Sequence, residues 1–206
     1  MNLYNRIQGR SPERLAALSD GIFAVAMTLL VLDLHIPTAA QVHGERELLM
    51  ALGALGPQWL AYGMSFLTLG IFWAGQQTQL NHIGEGTRDL TWIHLGFLFA
   101  VTLLPLSTRL LTEFITYRSA LLIYWLNILA MGAILYGSWK YVTRNGLIND
   151  DTPDEVRASI CKRIVIAQSL YAVGAALCVI NTWVSIAAIV LVQLNYAVAP
   201  AWRRHK

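Results

Sequence analysis

One stretch constrains this chain more than any other: RLAALSDGIFAVAMTLLVLDLHIP, residues 14–37, an apolar run of membrane length that begins in a charged cluster. No charged side chain lies between Gly21 and Leu32. At about 1.5 Å per residue, a helix over residues 15–36 reaches roughly 30 Å, the thickness of a hydrocarbon core. Its first turns nevertheless carry Arg14, Ser19 and Asp20. An ionisable side chain in a spanning segment costs on the order of 2.5–3.5 kcal/mol at the bilayer centre and less near an end, so it marks a functional or assembly site.

Composition places the whole chain in the same class. Hydrophobic residues make up 56% and charged residues 13%, about half the charged share of a soluble domain. The apolar runs read as six transmembrane helices, at residues 15–36, 57–77, 90–111, 121–142, 164–180 and 183–199, in one all-α domain over 1–206. The first run exceeds the roughly 7–15 residues of a secretory signal core, so it reads as a retained span.

Loop charge sets the expected orientation. With six spans, Arg6, Arg10, Arg14, Arg88, Lys140, Arg144, Arg157, Lys162, Arg163, Arg203, Arg204 and Lys206 share one side, leaving Arg46, Arg109 and Arg118 on the other. Both termini are therefore expected in the cytoplasm, with the chain in the cell membrane. The net charge of +3 is accounted for by topology, and no basic domain or RNA-binding motif points to nucleic acid.

Smaller features carry local expectations. The segment 45–56 has helical apolar spacing and suits the outer interface or an extension of the second helix, with Gly56-Pro57 marking a break. Pro105 should kink the third span, with Ser107 and Thr108 bonding freed carbonyls. Gly63, Gly70, Gly75, Gly132 and Gly137 are candidate close approaches. Loop 145–154 reads as a solvated hairpin, and Thr152 as the cap of a helix with Pro153 first and Glu155 third. Arg109 and Glu113 have pairing spacing, while Trp59, Trp92, Tyr141 and Trp202 suit an interfacial belt. Cys161 and Cys178 fit neither a disulfide framework nor a zinc pattern.

On the first helix, Leu18, Gly21, Val25, Leu29, Leu32 and Ile36 fall on one stripe at 100° per residue, extended by Arg14, while Asp20, Ala24, Met27 and Val31 lie across from it. The stripe by itself is weak evidence of a pore, since packing on neighbouring helices accounts for it better. Asp20 must find a partner, and Arg14, Asn81, His82 and His94 are the candidates near its end of the bundle.

The arrangement of Arg14, three residues, then Leu18-Ser19-Asp20-Gly21, continued by IFAVAMTLLVLDLHIP, resembles the opening helix of the transmembrane protein 175 family of potassium channels. The six-span plan extends the resemblance over nearly the whole chain. Leu18 stands where the family has Phe, and Gln76 and Gln77 follow Phe72-Trp73 where histidines are expected. The resemblance implies a homotetramer whose first helices line a central pore, with Val25, Leu29 and Leu32 as the constriction and Thr28 as a polar layer beside it. Arg14, Ser19, Asp20 and Gly21 become an assembly and gating motif. It further implies K+ as the permeant ion, held only transiently near Thr28, with no cofactor and no fixed metal.

Other classes are less well supported by the residues. H-E-x-x-H, G-x-S-x-G and P-loop patterns are absent, so the chain does not read as an enzyme. A proton- or cation-coupled secondary transporter using Asp20 and a nearby His is the alternative, though no paired broken helices mark two related halves. No span carries the regularly spaced Arg residues of a voltage sensor.

Overall fold

The structure, a computed structural model, describes residues 11–38 and 42–202, with side chains as far as residue 198. Arg6, Arg10, Arg203, Arg204, Lys206 and the Trp202 ring lie outside what it describes. The described residues form helices joined by short turns: α1 (Pro12–Leu32), α2 (Glu45–Ala54), α3 (Gly56–Leu80), α4 (Arg88–Thr102), α5 (Leu104–Glu113), α6 (Arg118–Arg144), α7 (Asp154–Ala176), a 3₁₀ turn (Leu177–Val179) and α8 (Thr182–Trp202). Among the described residues, four stretches are long and apolar enough to cross a membrane: Pro12–Leu32, Arg88–Glu113, Arg118–Arg144 and Asp154–Val179. Helix α3 has the length but spends Ser65, Thr68, Gln76 and Gln79 on buried polar contacts, which lowers its mean hydropathy. The apolar part of α8 described with side chains is shorter, Thr182–Val198.

Several boundaries differ from the sequence reading for identifiable reasons. Helix α1 stops at Leu32, capped by Asp33, so Ile36 leaves the helical stripe. Pro37 disfavours helical backbone at the residue before it, and the His35 N–H is bonded to Gln58 Oε1 at 3.1 Å. At about 1.5 Å per residue the remaining 21 residues still span roughly 30 Å. Helix α7 starts at Asp154, well before residue 164, with Pro153 at the cap position and no capping side chain. Thr152 is therefore not the cap. An Asp154–Arg157 ion pair at 3.5 Å follows in the first turn, whereas Arg109 and Glu113 form no such pair among the described residues.

Loop 145–154 is docked rather than free. Ile148 is buried and bridges Ile83, with Gly84 N to Leu147 O and Asn149 N to His82 O each at 2.9 Å. Gly146 makes the turn at φ +64°, where a side chain would be strained. Helix α2 is separate, buries no residue and joins α3 through Leu55, so Gly56-Pro57 does mark a break.

The predicted kink falls at Leu103, between α4 and α5. Ser107 and Thr108 do not bond the carbonyl that Pro105 orphans; both bond Leu104 O, at 3.0 and 2.8 Å. The break is bridged from α6. With its amide oriented to satisfy both sides, Asn127 donates to Ala100 O at 3.0 Å and accepts from Leu104 N at 3.1 Å. One side chain thus replaces an interrupted rung of the helix ladder. Asn127→Leu leaves both groups unpaired at a cost of about 2–6 kcal/mol. Thermal unfolding in detergent should show a clear drop in Tm that Leu126→Ala, at an exposed neighbour, does not.

Packing assigns α1 to α3, α4 and α5, and places α6 against α4, α5 and α7, with α8 against α7 and α3. Phe97 is the pivot, its ring 6.1 Å from Phe23 of α1 and 6.3 Å from Phe72 of α3. In a bilayer such contacts act through close packing, because lipid is as apolar as the side chains. Of the glycines named from sequence, Gly132 is the tight one: a Cβ there would collide with the Gln168 side chain. Gly63, Gly70 and Gly137 have open space, Gly75 only ordinary contact, and Gly174 against Ile189 is a close approach the sequence reading did not name.

Candidate functional site

Helix α1 has one packed face and a wide exposed arc. Leu15, Ser19, Phe23, Ala26 and Leu30 are buried at helical spacing. The stripe read from sequence is open: Leu18 is 44% exposed, Val25 57%, Leu29 44% and Leu32 76%. A shallow concavity runs along it, lined by Leu18, Gly21, Ile22, Val25, Leu29 and Thr102. Thr28 is exposed beside the stripe, its hydroxyl donating to Val25 O at 2.8 Å. That bond leaves the oxygen's lone pairs available outward. A membrane helix with a packed face and an apolar open one either meets lipid or a second protein surface.

The Ser-Asp pair is anchored by the glutamines. Ser19 is fully buried, donates to Leu15 O at 2.8 Å and accepts from Gln76 Nε2 at 2.8 Å. The same Gln76 nitrogen meets His94 Nε2 on α4. Asp20, one residue on and exposed, accepts from Trp73 Nε1 at 2.7 Å and from Gln77 Nε2 at 2.6 Å. Its partners are therefore neither Arg14 nor any of the candidates Asn81, His82 and His94. The reason is register: Trp73, Gln76 and Gln77 occupy one flank of α3 at spacings of three and four, facing the first turns of α1. His94 instead serves Ser19's side of the network. Arg14 is exposed at the helix start, and Gly21 lies on the open stripe.

A second polar cluster sits in the core and was not read from sequence. Tyr124 of α6, fully buried, has Ser65 and Thr68 of α3 at 3.2 and 3.1 Å. Thr108 of α5 donates to Ser65 at 2.7 Å, and Gln193 of α8 to Thr68 at 2.7 Å. Four helices are thereby joined through hydroxyls that composition presents as ordinary polar residues. The one available signal was the three-residue helical spacing of Ser65 and Thr68.

With this geometry in place, the comparisons with known proteins become decisive. A potassium channel of Streptomyces collinus is 31% identical over 188 residues, covering 89% of this chain and 90% of its own. The chain belongs to the TMEM175 family. The family model, described as endosomal/lysosomal potassium channel TMEM175, matches residues 14–105, from the Arg14 cluster to the Pro105 break. A potassium channel of Chamaesiphon minutus is 28% identical over 188 residues, 89% of this chain and 92% of that one. The human endosomal/lysosomal proton channel TMEM175 is 36% identical over 110 residues, half of this chain and 22% of that one.

The fold agrees. The crystal structure of a lysosomal potassium-selective channel TMEM175 homolog from Chamaesiphon minutus superimposes with a TM-score of 0.79 at 27% identity, covering 92% of this chain and 98% of that one. Family membership and the apolar helices make this TMEM175-family chain an all-helical membrane protein of a channel family rather than of an enzyme family. Within that family, glutamines at 76 and 77 keep a hydrogen-bonded anchor for Ser19 and Asp20.

Proposed function

We propose that this TMEM175-family chain forms a potassium-permeable, moderately selective cation channel, passive in mechanism, from four copies arranged around their α1 helices. Each copy would cross the cell membrane six times, by α1, α3, α4 with α5, α6, α7 with its 3₁₀ turn, and α8, with both termini cytoplasmic. The observation that carries the reading is the open stripe Leu18, Gly21, Val25, Leu29 and Leu32 on a helix packed through its Leu15, Ser19, Phe23, Ala26 and Leu30 face. It is supported by the relatives named potassium channels.

The proposed chemistry follows from side chains alone. Val25, Leu29 and Leu32 offer a cation no ligand, so rings of them close the path by excluding water and must widen for conduction. Thr28 supplies hydroxyl oxygens next to the constriction for a partly dehydrated ion. K+ sheds water more cheaply than Na+, which favours it without a carbonyl-lined filter. Within the motif Arg14, Ser19, Asp20 and Gly21, the bonds of Ser19 and Asp20 to α3 set the angle at which α1 enters the ring and hence the pore width. No resident cofactor or metal enters this reading; the partners are further copies of the chain, the bilayer and K+.

Efflux of K+ from vesicles containing the purified protein tests the proposal. Rapid efflux that does not saturate with the gradient supports a pore. Slow, saturating flux that depends on a co-transported proton would favour a coupled transporter instead.

A further inference from the structure

A cleft of about 80 Å³ opens between α3, α6, α7 and α8. Ile71, Gly75 and Thr78 line it from the flank of α3 opposite Trp73 and Gln77, so it is distinct from the face that holds α1. Ile164, Ala167 and Leu135 give it apolar walls. Arg163 stands at its mouth, the guanidinium 5.7 Å from the centre of the Tyr196 ring, and forms no ion pair among the described residues. Further along, Gln168 and Tyr171 line it; Tyr171, 1% exposed, turns its hydroxyl toward the Gln193 side chain of the core cluster, and the Gln168 carbonyl oxygen is buried without a hydrogen-bond partner among the described residues. At 1.5 Å per residue, Gln168 and Tyr171 lie roughly 7 and 12 Å along α7 from Arg163.

We propose that this cleft binds an anionic phospholipid of the cytoplasmic leaflet. The inference rests on the membrane orientation given above, which sets Arg163 at the cytoplasmic interface and Tyr171 within the hydrocarbon. An occupant must then be anionic at the mouth and apolar along the walls. A phospholipid supplies these in that order: its phosphate meets the Arg163 fork, and below it the first acyl methylenes pack on Ile164 and Ala167. The rest of its chains stays in the bilayer. Arg163 is held by its cation–π contact rather than by a carboxylate, so binding a phosphate breaks no ion pair. Lys140 and Arg144, at the nearby end of α6, add attraction for an anionic leaflet but line a different hollow.

Delipidated protein in detergent, titrated with dioleoyl phosphatidylglycerol and followed by native mass spectrometry, tests the site. The expected result is one retained lipid per protomer, with a rise in Tm that dioleoyl phosphatidylcholine does not match. Arg163→Gln should weaken binding about fivefold or more, and Ala167→Leu, which fills the cleft without touching charge, should abolish the retained lipid. Arg144→Gln should change little. Wild-type binding in both cleft variants, or equal weakening by Arg144→Gln, would overturn the proposal. Displacement by inorganic phosphate at equal concentration would show that only a free anion is recognised, which also overturns it. Detergent has no sides and the readout needs no current, so failure here is separable from failure of the channel or its orientation.

Discussion

Leu29→Ala is expected to raise unitary conductance severalfold and to lower the preference for K+ over Na+. Leu29 is 44% exposed on α1, so trimming it opens no cavity in the packed face of Leu15, Phe23, Ala26 and Leu30. Stability should therefore change little, unlike truncation of a buried leucine, which costs about 2–5 kcal/mol. In the proposed ring four isobutyl groups shrink to methyls at once, and a wider, wetter constriction loses both its dewetting barrier and its demand for partial dehydration. Val31→Ala is the control, because Val31 is equally exposed but lies on the other flank of the helix. Single-channel recording checks both. Unchanged currents and ion ratios in Leu29→Ala would remove Leu29 from the constriction.

Asp20→Ala is expected to act on assembly. It strips the common acceptor from Trp73 Nε1 at 2.7 Å and Gln77 Nε2 at 2.6 Å. Hydrogen bonds to a charged group contribute about 1.5–3 kcal/mol where they are shielded from water, and each α1 helix of the proposed ring would lose two. In a lone protomer Asp20 is exposed, so its value there is small and the loss is felt in the oligomer. The expected result is dissociation into protomers, read by light scattering on a sizing column, while Asp20→Asn, which keeps an acceptor oxygen, retains the oligomer. An intact Asp20→Ala tetramer with altered selectivity would instead put Asp20 at the ion path.

The legible parts of this protein were those governed by a repeating physical constraint. Bilayer thickness and apolar runs located the cores of every long helix, and the 100° period put Val25, Leu29 and Leu32 on one stripe of α1 but did not say which side was packed, since Ala24 and Val31 across from it are exposed as well. Helix ends were less legible. Polar residues extend α7 back to Asp154 because helical hydrogen bonding continues through the interface, where hydropathy no longer reports it. Contacts between helices were least legible, since they depend on relative rotation. Asp20 found Trp73 and Gln77 rather than a charged or imidazole partner, and Asn127 crossed from α6 to mend the break beside Pro105. Gly174 was hidden for the same reason: nothing in a sequence says which glycine faces Ile189.

Central to the account is a K+-favouring pore made by α1. The most direct measurement is the reversal potential of purified protein in planar bilayers with K+ on one side and Na+ on the other. The account predicts discrete unitary currents that reverse toward the K+ equilibrium potential, with a shift toward zero in Leu29→Ala. Flux without unitary currents, or currents reversing at zero in the unmodified chain, would contradict it.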